Sequence, residues 1–457
     1  MSIFEEYPVL KRHMNLRISK GRKICRNLRT GDCELPDEGS FAFLSMCSGS
    51  HRLKDIFTAH TQVYGREVFP VDDILKKYGH LLDFSSLPAR ARQLEHMAEM
   101  LKARRSRWPY HPFREETPFR LEASLTEVCN HRCSYCYQGS EHKDEHGLHL
   151  EEWKDVMKQA AELGVQEIVF TGGEPTLYRG FLELVKTAVS HGLYPRISTN
   201  GSTLDPAMTG ALHEAGAEYI HLSLPAVTSA LYGRITGAEK SLDQVKRAIP
   251  LLKRSGFYIR VKMVLTPENT MEAGRLLEYC GENGVDLVHL APFIASTRTG
   301  KDYALVPDED SLVRVMKTAE AAEKRYPDLV IAKPALGLWE WRNEKEIVRC
   351  GGVKESLTVI HNGNITFCES LGGIDGFVMG NVRSQTLEEI WNSPIPDRYT
   401  VTQAKSEPCK SCEYLEKCGT GCFLFSYMAQ KDAFSADPRC FRYNGHRIGA
   451  AGEEKCE

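Results

Sequence analysis

"FRLEASLTEVCNHRCSYCYQG", residues 119–139, runs a β-type stretch into three cysteines, Cys129, Cys133 and Cys136, spaced C-x3-C-x2-C. A metal site built only of protein thiolates usually closes at four ligands, and no fourth cysteine stands beside these three. The set therefore leaves a coordination position for another molecule. Thiolates are soft ligands suited to zinc or to iron–sulfur centres. Structural zinc would want paired C-x2-C knuckles, which this spacing lacks, so the stretch points to an iron–sulfur cluster with one unclaimed iron.

Around that stretch the chain alternates β-type and helix-type runs. "FRLEASL", "QEIVFTGG", "YPRISTNG", "EYIHLSLPA", "YIRVKMVLT" and "DLVHLAPF" are separated by amphipathic segments such as "EEWKDVMKQAAELG" and "SLDQVKRAIPLLKRSG". Six such units imply parallel pairing but fall short of the eight that close a barrel. The expected fold class is α/β, an open partial (β/α)6 barrel whose working face lies at the carboxyl ends of its strands. Each motif below sits at one of those ends.

With 457 residues the chain is long enough for two to four domains. Hydrophobic residues at 42% and charged residues at 26% are ordinary for a globular protein, and a net charge of -3 argues against general polyanion binding. The N-terminal "MSIFEEYPVLKRHMNL" has no unbroken apolar core of a secretory signal, and no later stretch is apolar enough to span a bilayer. The expectation is a cytoplasmic protein with neither nucleic acid nor membrane as partner. In such a reducing compartment, fifteen cysteines read as metal ligands or redox groups rather than disulfides.

"CNHRCSYCY", with Tyr135 immediately before the last cysteine, resembles the signature of the radical S-adenosylmethionine (SAM) superfamily, whose partial barrel fits the strand count. The resemblance implies that SAM chelates the unclaimed iron and is split by one electron to give a 5′-deoxyadenosyl radical. "TGGEP" then resembles the motif that receives the SAM amino group, through Gly172, Gly173 and Glu174; its glycines permit close approach to a ligand, and a tight strand-to-helix turn is the plainer alternative. "STNG" and "SLP" offer Ser198, Asn200 and Ser223 for ribose and carboxylate, although short polar residues at strand ends are often only caps. Arg234 in "YGRITG" resembles the arginine that pairs with the SAM carboxylate.

A second cluster of cysteines follows. Gly363 precedes Cys368 by five residues in "CGGVKESLTVIHNGNITFC", and "CKSCEYLEKCGTGC" is followed by Cys440. This resembles the SPASM extension of peptide-modifying radical SAM enzymes, with two auxiliary iron–sulfur clusters, making three clusters in all. The resemblance assigns Cys409, Cys412, Cys418 and Cys440 to one, and Cys350, Cys368 and Cys422 to the other. The fourth ligand of the latter is open between Cys456, another side chain and the substrate itself. The region reads as irregular and dependent on metal for its fold; zinc ribbons are its alternative. Cys280 reads as a small buried hydrophobe, and Cys25, Cys33 and Cys47 show no ligand spacing.

The expected domains are residues 1–83, a winged-helix-like unit; 84–118, a helical linker; 119–335, the barrel; and 336–457, the SPASM region. The first, with three β-type pieces and three helices, resembles the PqqD-like element that binds leader sequences of ribosomally made precursor peptides as an added strand. The whole implies a peptide maturase that docks a precursor by its leader, takes electrons from a flavodoxin or ferredoxin, and forms a thioether or carbon–carbon crosslink. A peptide epimerase, a sulfatase-maturase-like oxidase and, from another class, a zinc-binding winged-helix regulator of DNA remain as alternatives.

Overall fold

The structure, a computed structural model, describes residues 7–10, 14–19, 22–27, 29, 33–47, 53, 56–57, 60, 71–85, 117–138, 147–293, 303–333, 352–372, 374, 376–395, 407, 409–412, 415, 420–438 and 440. Among the expected ligands, Cys350, Cys418 and Cys456 lie outside the described residues, as does most of the expected linker. The chain divides into two compact units, Met1–Thr117 and Pro118–Glu457.

In the first unit, β2 (Met14–Ser19), β3 (Arg22–Asn27) and β4 (Cys33–Glu34) form an antiparallel sheet in that order. A separate pair joins β1 (Tyr7–Leu10) to β5 (Leu82–Ser85), so "YPVL", which the sequence reading did not single out, is a strand. Helix α1 (Glu38–Met46) starts at Asp37, whose Oδ1 accepts from Ser40 N at 2.8 Å and satisfies one of the free amides of the first turn. Helix α2 (Val71–Tyr78) turns Ile74 and Tyr78 onto a core with Phe43, Leu44, Leu53 and Leu81. Burial pushes the Cys25 thiol up to about 12, as expected of a packed thiol rather than a ligand.

The second unit is built on one ten-stranded sheet. The six runs of the sequence appear as β6 (Arg120–Ser124), β7 (Glu167–Thr171), β8 (Tyr194–Thr199), β9 (Tyr219–Ser223), β10 (Tyr258–Leu265) and β11 (Leu287–Pro292), each parallel to the next, with β12 (Val330–Ala332) added beyond β11. Helices α3 (Leu150–Leu163), α4 (Phe181–Ser190), α5 (Pro206–Glu214), α6 (Ser229–Thr236), α7 (Ser241–Arg254) and α8 (Ala273–Glu282) lie between successive strands in the chain. In β10, Ile259, Val261, Met263 and Leu265 are fully buried while Tyr258, Arg260, Lys262 and Val264 alternate with them. Full burial of such an aliphatic side chain is worth about 1.5–3 kcal/mol, which fixes the strand's register. The alternate face lines the inside of the open barrel.

The expectation of an irregular C-terminal region is corrected in part. β13 (Ser356–Val359) pairs in parallel with β6, and β14 (Asn364–Thr366) and β15 (Gly380–Asn381) continue the sheet antiparallel. Gly363, at φ +88°, makes the turn between β13 and β14, a conformation an L side chain rarely adopts. Backbone pairing and the apolar residues Leu357, Val359 and Ile365, all fully buried, join this segment to the barrel. Arg383 secures the far side, donating from Nε to Glu152 Oε1 of α3 at 2.7 Å.

Candidate active site

The cysteine loop is gripped from two sides. On one, the chain leaving β6 is zipped to the turn after β7: Leu125 N donates to Thr171 O at 3.0 Å, Gly173 N to Thr126 O at 2.7 Å and Glu174 N to Val128 O at 2.8 Å. A Cβ at Gly172, where φ is +126°, would stand 2.5 Å from Thr126 O, and one at Gly173 would stand 2.2 Å from Val128 O. The two glycines are thus required by the approach of the cysteine loop's own backbone. On the other side, Arg132 N and Ser134 N donate to Thr236 O and Ile235 O at the C-terminal end of α6, at 2.8 and 2.7 Å.

Between these supports, Cys136 N closes a turn on Cys133 O at 3.0 Å, and His131 N donates to Cys129 Sγ at 3.4 Å. Burial pushes the Cys129 thiol up to about 11, with Glu174 and Cys136 raising it further, and pushes Cys133 up to about 12. Three thiols close enough to raise one another need positive charge from elsewhere to ionise, which bound iron supplies. Among the described residues, no three His, Cys, Asp or Glu side chains converge as they would around a single ion. The Tyr135 hydroxyl bonds to Cys133, and burial holds its pKa well above the usual tyrosine range.

Glu174 is fully buried. Its Oε1 accepts from Thr176 Oγ1 at 2.6 Å, Thr199 Oγ1 at 2.7 Å and Thr176 N at 3.2 Å, and its Oε2 accepts from Asn200 N at 2.7 Å. Burial raises its pKa, opposed by these hydrogen bonds. These bonds tie the end of β7 to the end of β8. Asn200 acts on the cysteine loop too, donating from Nδ2 to Asn130 Oδ1 at 2.8 Å and lying 3.9 Å from Cys129 Sγ.

Ser198 and Ser223 stand partly exposed on the inner faces of β8 and β9, Ser198 opposite His221 and Ser223 opposite Lys262. Arg234 lies exposed on α6. Cys368 leads into a short 3-10 turn, Glu369–Leu371. Cys409 is buried, its thiol pushed up to about 11 by burial and then by Cys440 and Cys412, so these three expected co-ligands are electrostatic neighbours. Asp437 Oδ2 accepts from Cys422 N at 2.9 Å and Asp437 O accepts from Cys440 N at 2.8 Å, which joins the two expected clusters' loops. Cys280 is fully buried with its thiol raised by burial, a packed side chain as expected.

Two residues escaped the sequence reading. Glu369, directly after Cys368, accepts from the Tyr137 hydroxyl and from Gln138 Nε2 at 2.7 Å, so a buried carboxylate bridges the first cysteine loop to the C-terminal cysteines. Burial pushes its pKa up to about 7. Lys262 sits on the inner face of β10, where burial and then Arg260 lower its pKa. The alternation in "YIRVKMVL" carried that signal, since it places arginine and lysine on the face opposite the aliphatic side chains.

Residues 123–280 match the radical SAM superfamily, and residues 350–413 match an iron–sulfur cluster-binding domain. A PqqA peptide cyclase of Gluconobacter oxydans is 30% identical over 338 residues, 71% of this chain and 90% of the relative. Its counterpart in Granulibacter bethesdensis is 28% identical over 338 residues, 73% of this chain and 90% of the relative. The crystal structure of Streptococcus suis SuiB bound to precursor peptide SuiA superposes with a TM-score of 0.70 and 18% identity, covering 95% of this chain and 99% of that one. At that identity the likeness is one of fold.

Proposed function

Because the chain belongs to the radical SAM superfamily, we infer that it is an enzyme that modifies a ribosomally made precursor peptide, forming a crosslink within it. The observation that carries this reading is the cysteine loop itself, three thiols held between the β7 turn and α6 with a coordination position left over. The peptide substrate is supported by relatives named PqqA peptide cyclase and by a fold shared with SuiB, which has been crystallised with its precursor peptide.

Cys129, Cys133 and Cys136 hold the cluster to which SAM binds. Bound there, cluster and SAM supply a 5′-deoxyadenosyl radical able to take a hydrogen atom from an unactivated carbon. Tyr135 packs at Cys133. Ser198 faces the barrel interior on the side of the nucleoside, and Arg234 is the cation assigned to the methionine carboxylate. Gly172, Gly173, Glu174 and Asn200 serve the cofactor indirectly, by fixing the loop. Cys409, Cys412, Cys418 and Cys440 form one auxiliary set, and Cys350, Cys368 and Cys422 the other. Glu369 keeps the latter in register with the first loop.

The leader docks on residues 1–83, where β2 is an edge strand among the described residues and offers unpaired backbone for strand addition. Tethering by the leader raises the local concentration of the segment to be modified. Flavodoxin or ferredoxin is the electron donor. No helix among the described residues is long and apolar enough to cross a membrane.

The test is anaerobic. Reconstituted wild-type protein is brown and forms 5′-deoxyadenosine on reduction; the variant with serine at 129, 133 and 136 does not. Co-expression with a short open reading frame adjoining the gene, read by mass spectrometry, shows a peptide lighter by two hydrogen atoms for a crosslink and unchanged in mass for an epimer. Removal of residues 1–83 abolishes that change while leaving 5′-deoxyadenosine formation intact. Native-rate 5′-deoxyadenosine from the serine variant would overturn the reading.

A further inference from the structure

The inner face of β10 carries two cations, Arg260 and Lys262. Lys262 stands level with Ser223 of β9 and His289 of β11, near the carboxyl ends of the strands. One step below it in register, Arg260 stands opposite His221 and reaches up to His289, Nη2 to Nδ1 at 2.6 Å. The acids of this interior are already engaged. Glu167 lies between Arg120 and Arg196, Glu122 accepts from Thr358 Oγ1 at 3.3 Å, and Glu369 accepts from Tyr137 and Gln138. Among the described residues, the Lys262 ammonium has neither a hydrogen bond nor an ion pair, and His221 Nε2 and Arg260 Nε are buried without a partner.

A half-buried cation with no hydrogen-bonded acceptor is costly to keep charged, and burial, then Arg260, lower the Lys262 pKa against the opposing pull of Glu122 and Glu369. An anion entering from the mouth relieves that cost. The oxygens of a planar carboxylate match the ammonium and the Ser223 hydroxyl at one level, with Arg260 beneath. The cysteine loop stands at the carboxyl ends of these strands.

We propose that Lys262, with Ser223 beside it and the Arg260–His289 pair beneath, seats a carboxylate carried by the substrate, the side chain of an aspartate or glutamate in the modified peptide. The seat is a specificity element: it holds that residue so that a neighbouring carbon faces the radical source. It rests on the peptide-modifying reading above. The same chemistry exists on SAM itself, whose carboxylate is the other source to be distinguished.

The experiment uses reconstituted holoenzyme with SAM bound and the capped pentapeptide Gly-Gly-Glu-Gly-Gly, compared by calorimetry with its glutamine counterpart. Wild type binds the acid about tenfold more tightly than the amide, the equivalent of ~1.4 kcal/mol. Lys262→Gln loses that preference, Lys262→Arg keeps it, and SAM affinity in both variants stays within about twofold of wild type, or ~0.4 kcal/mol. Equal or absent binding of both peptides by wild type, or a preference that survives Lys262→Gln, overturns the seat. A comparable fall in SAM affinity in Lys262→Gln, restored in Lys262→Arg, assigns the lysine to the cofactor instead and overturns it equally. Formation of 5′-deoxyadenosine by the same wild-type sample separates these outcomes from failure of the underlying reading, in which none is formed.

Discussion

Tyr137 and Glu369, 232 residues apart in the chain, meet in a hydrogen bond between the phenol hydroxyl and a buried carboxylate. Gln138 donates to the same carboxylate, so two consecutive residues after Cys136 are held by the residue after Cys368. The loop expected to carry the SAM-binding cluster and a loop expected to carry an auxiliary cluster are therefore one mechanical unit.

Glu369→Ala removes the buried acceptor that Tyr137 and Gln138 share, at about 1–3 kcal/mol, and a lowered midpoint in urea unfolding reads this. Tyr137→Phe costs less, because it removes a donor rather than stranding one. The double variant is less unstable than the sum of the two by about 0.5–3 kcal/mol, as for contacting residues. Strict additivity would show that the bond carries no coupling.

Gly173→Ala drives a methyl group into Val128 O, where a Cβ would stand 2.2 Å away. The loop must shift, and overpacking of this kind costs about 1–3 kcal/mol. Iron content per chain falls and 5′-deoxyadenosine formation drops by about tenfold or more, ~1.4 kcal/mol or above, while far-ultraviolet circular dichroism stays that of wild type. Full iron loading in this variant would refute the role given to the turn.

Glu174→Gln keeps the shape of the side chain but turns one of its acceptors into a donor that faces Asn200 N, a donor itself. Stability falls by about 1–3 kcal/mol, and SAM binding weakens only alongside it. A carboxylate that touched the cofactor directly would give the opposite split, weaker SAM binding at unchanged stability, and calorimetry with thermal melts distinguishes them.

His289 is pushed down to about 3 by burial, then by Arg260 and Lys262. The folded chain keeps it neutral while the unfolded chain takes up a proton near pH 6.5. Its contribution is therefore complete above pH 6.5 and is lost progressively as pH falls toward 3. His289→Gln flattens the acid limb of the stability profile by up to about 1.4 kcal/mol per pH unit, measured by urea unfolding from pH 7 to pH 5. Parallel profiles for variant and wild type would remove His289 as a source of acid lability.

The six parallel strands were legible because each is a short β-type run bounded by a turn signal and followed by an amphipathic helix, a pattern that depends on local residues alone. β13 to β15 were hidden in a region whose glycines and cysteines masked the runs, yet Asn362-Gly363 between "SLTVI" and "NITF" was a hairpin signal in plain sight. The three thiols of the first loop were legible from spacing. The direction of the Glu174 side chain was not, because it is set by Thr199 and Asn200 on the next strand, as a local motif cannot reveal. Glu369 was missed for the same reason: its significance lies in Tyr137 and Gln138, far away in sequence.

The parallel pairing of β13 with β6 brings Thr358 to Glu122, 236 residues earlier. A ribosome adding ~5–20 residues each second needs roughly 12–50 s to bridge that interval. Throughout it β6 waits as a bare sheet edge, of the kind that recruits strands from other chains. A nascent chain that stops before Ser356 exposes this edge permanently, so truncation aggregates the barrel instead of yielding a simpler enzyme.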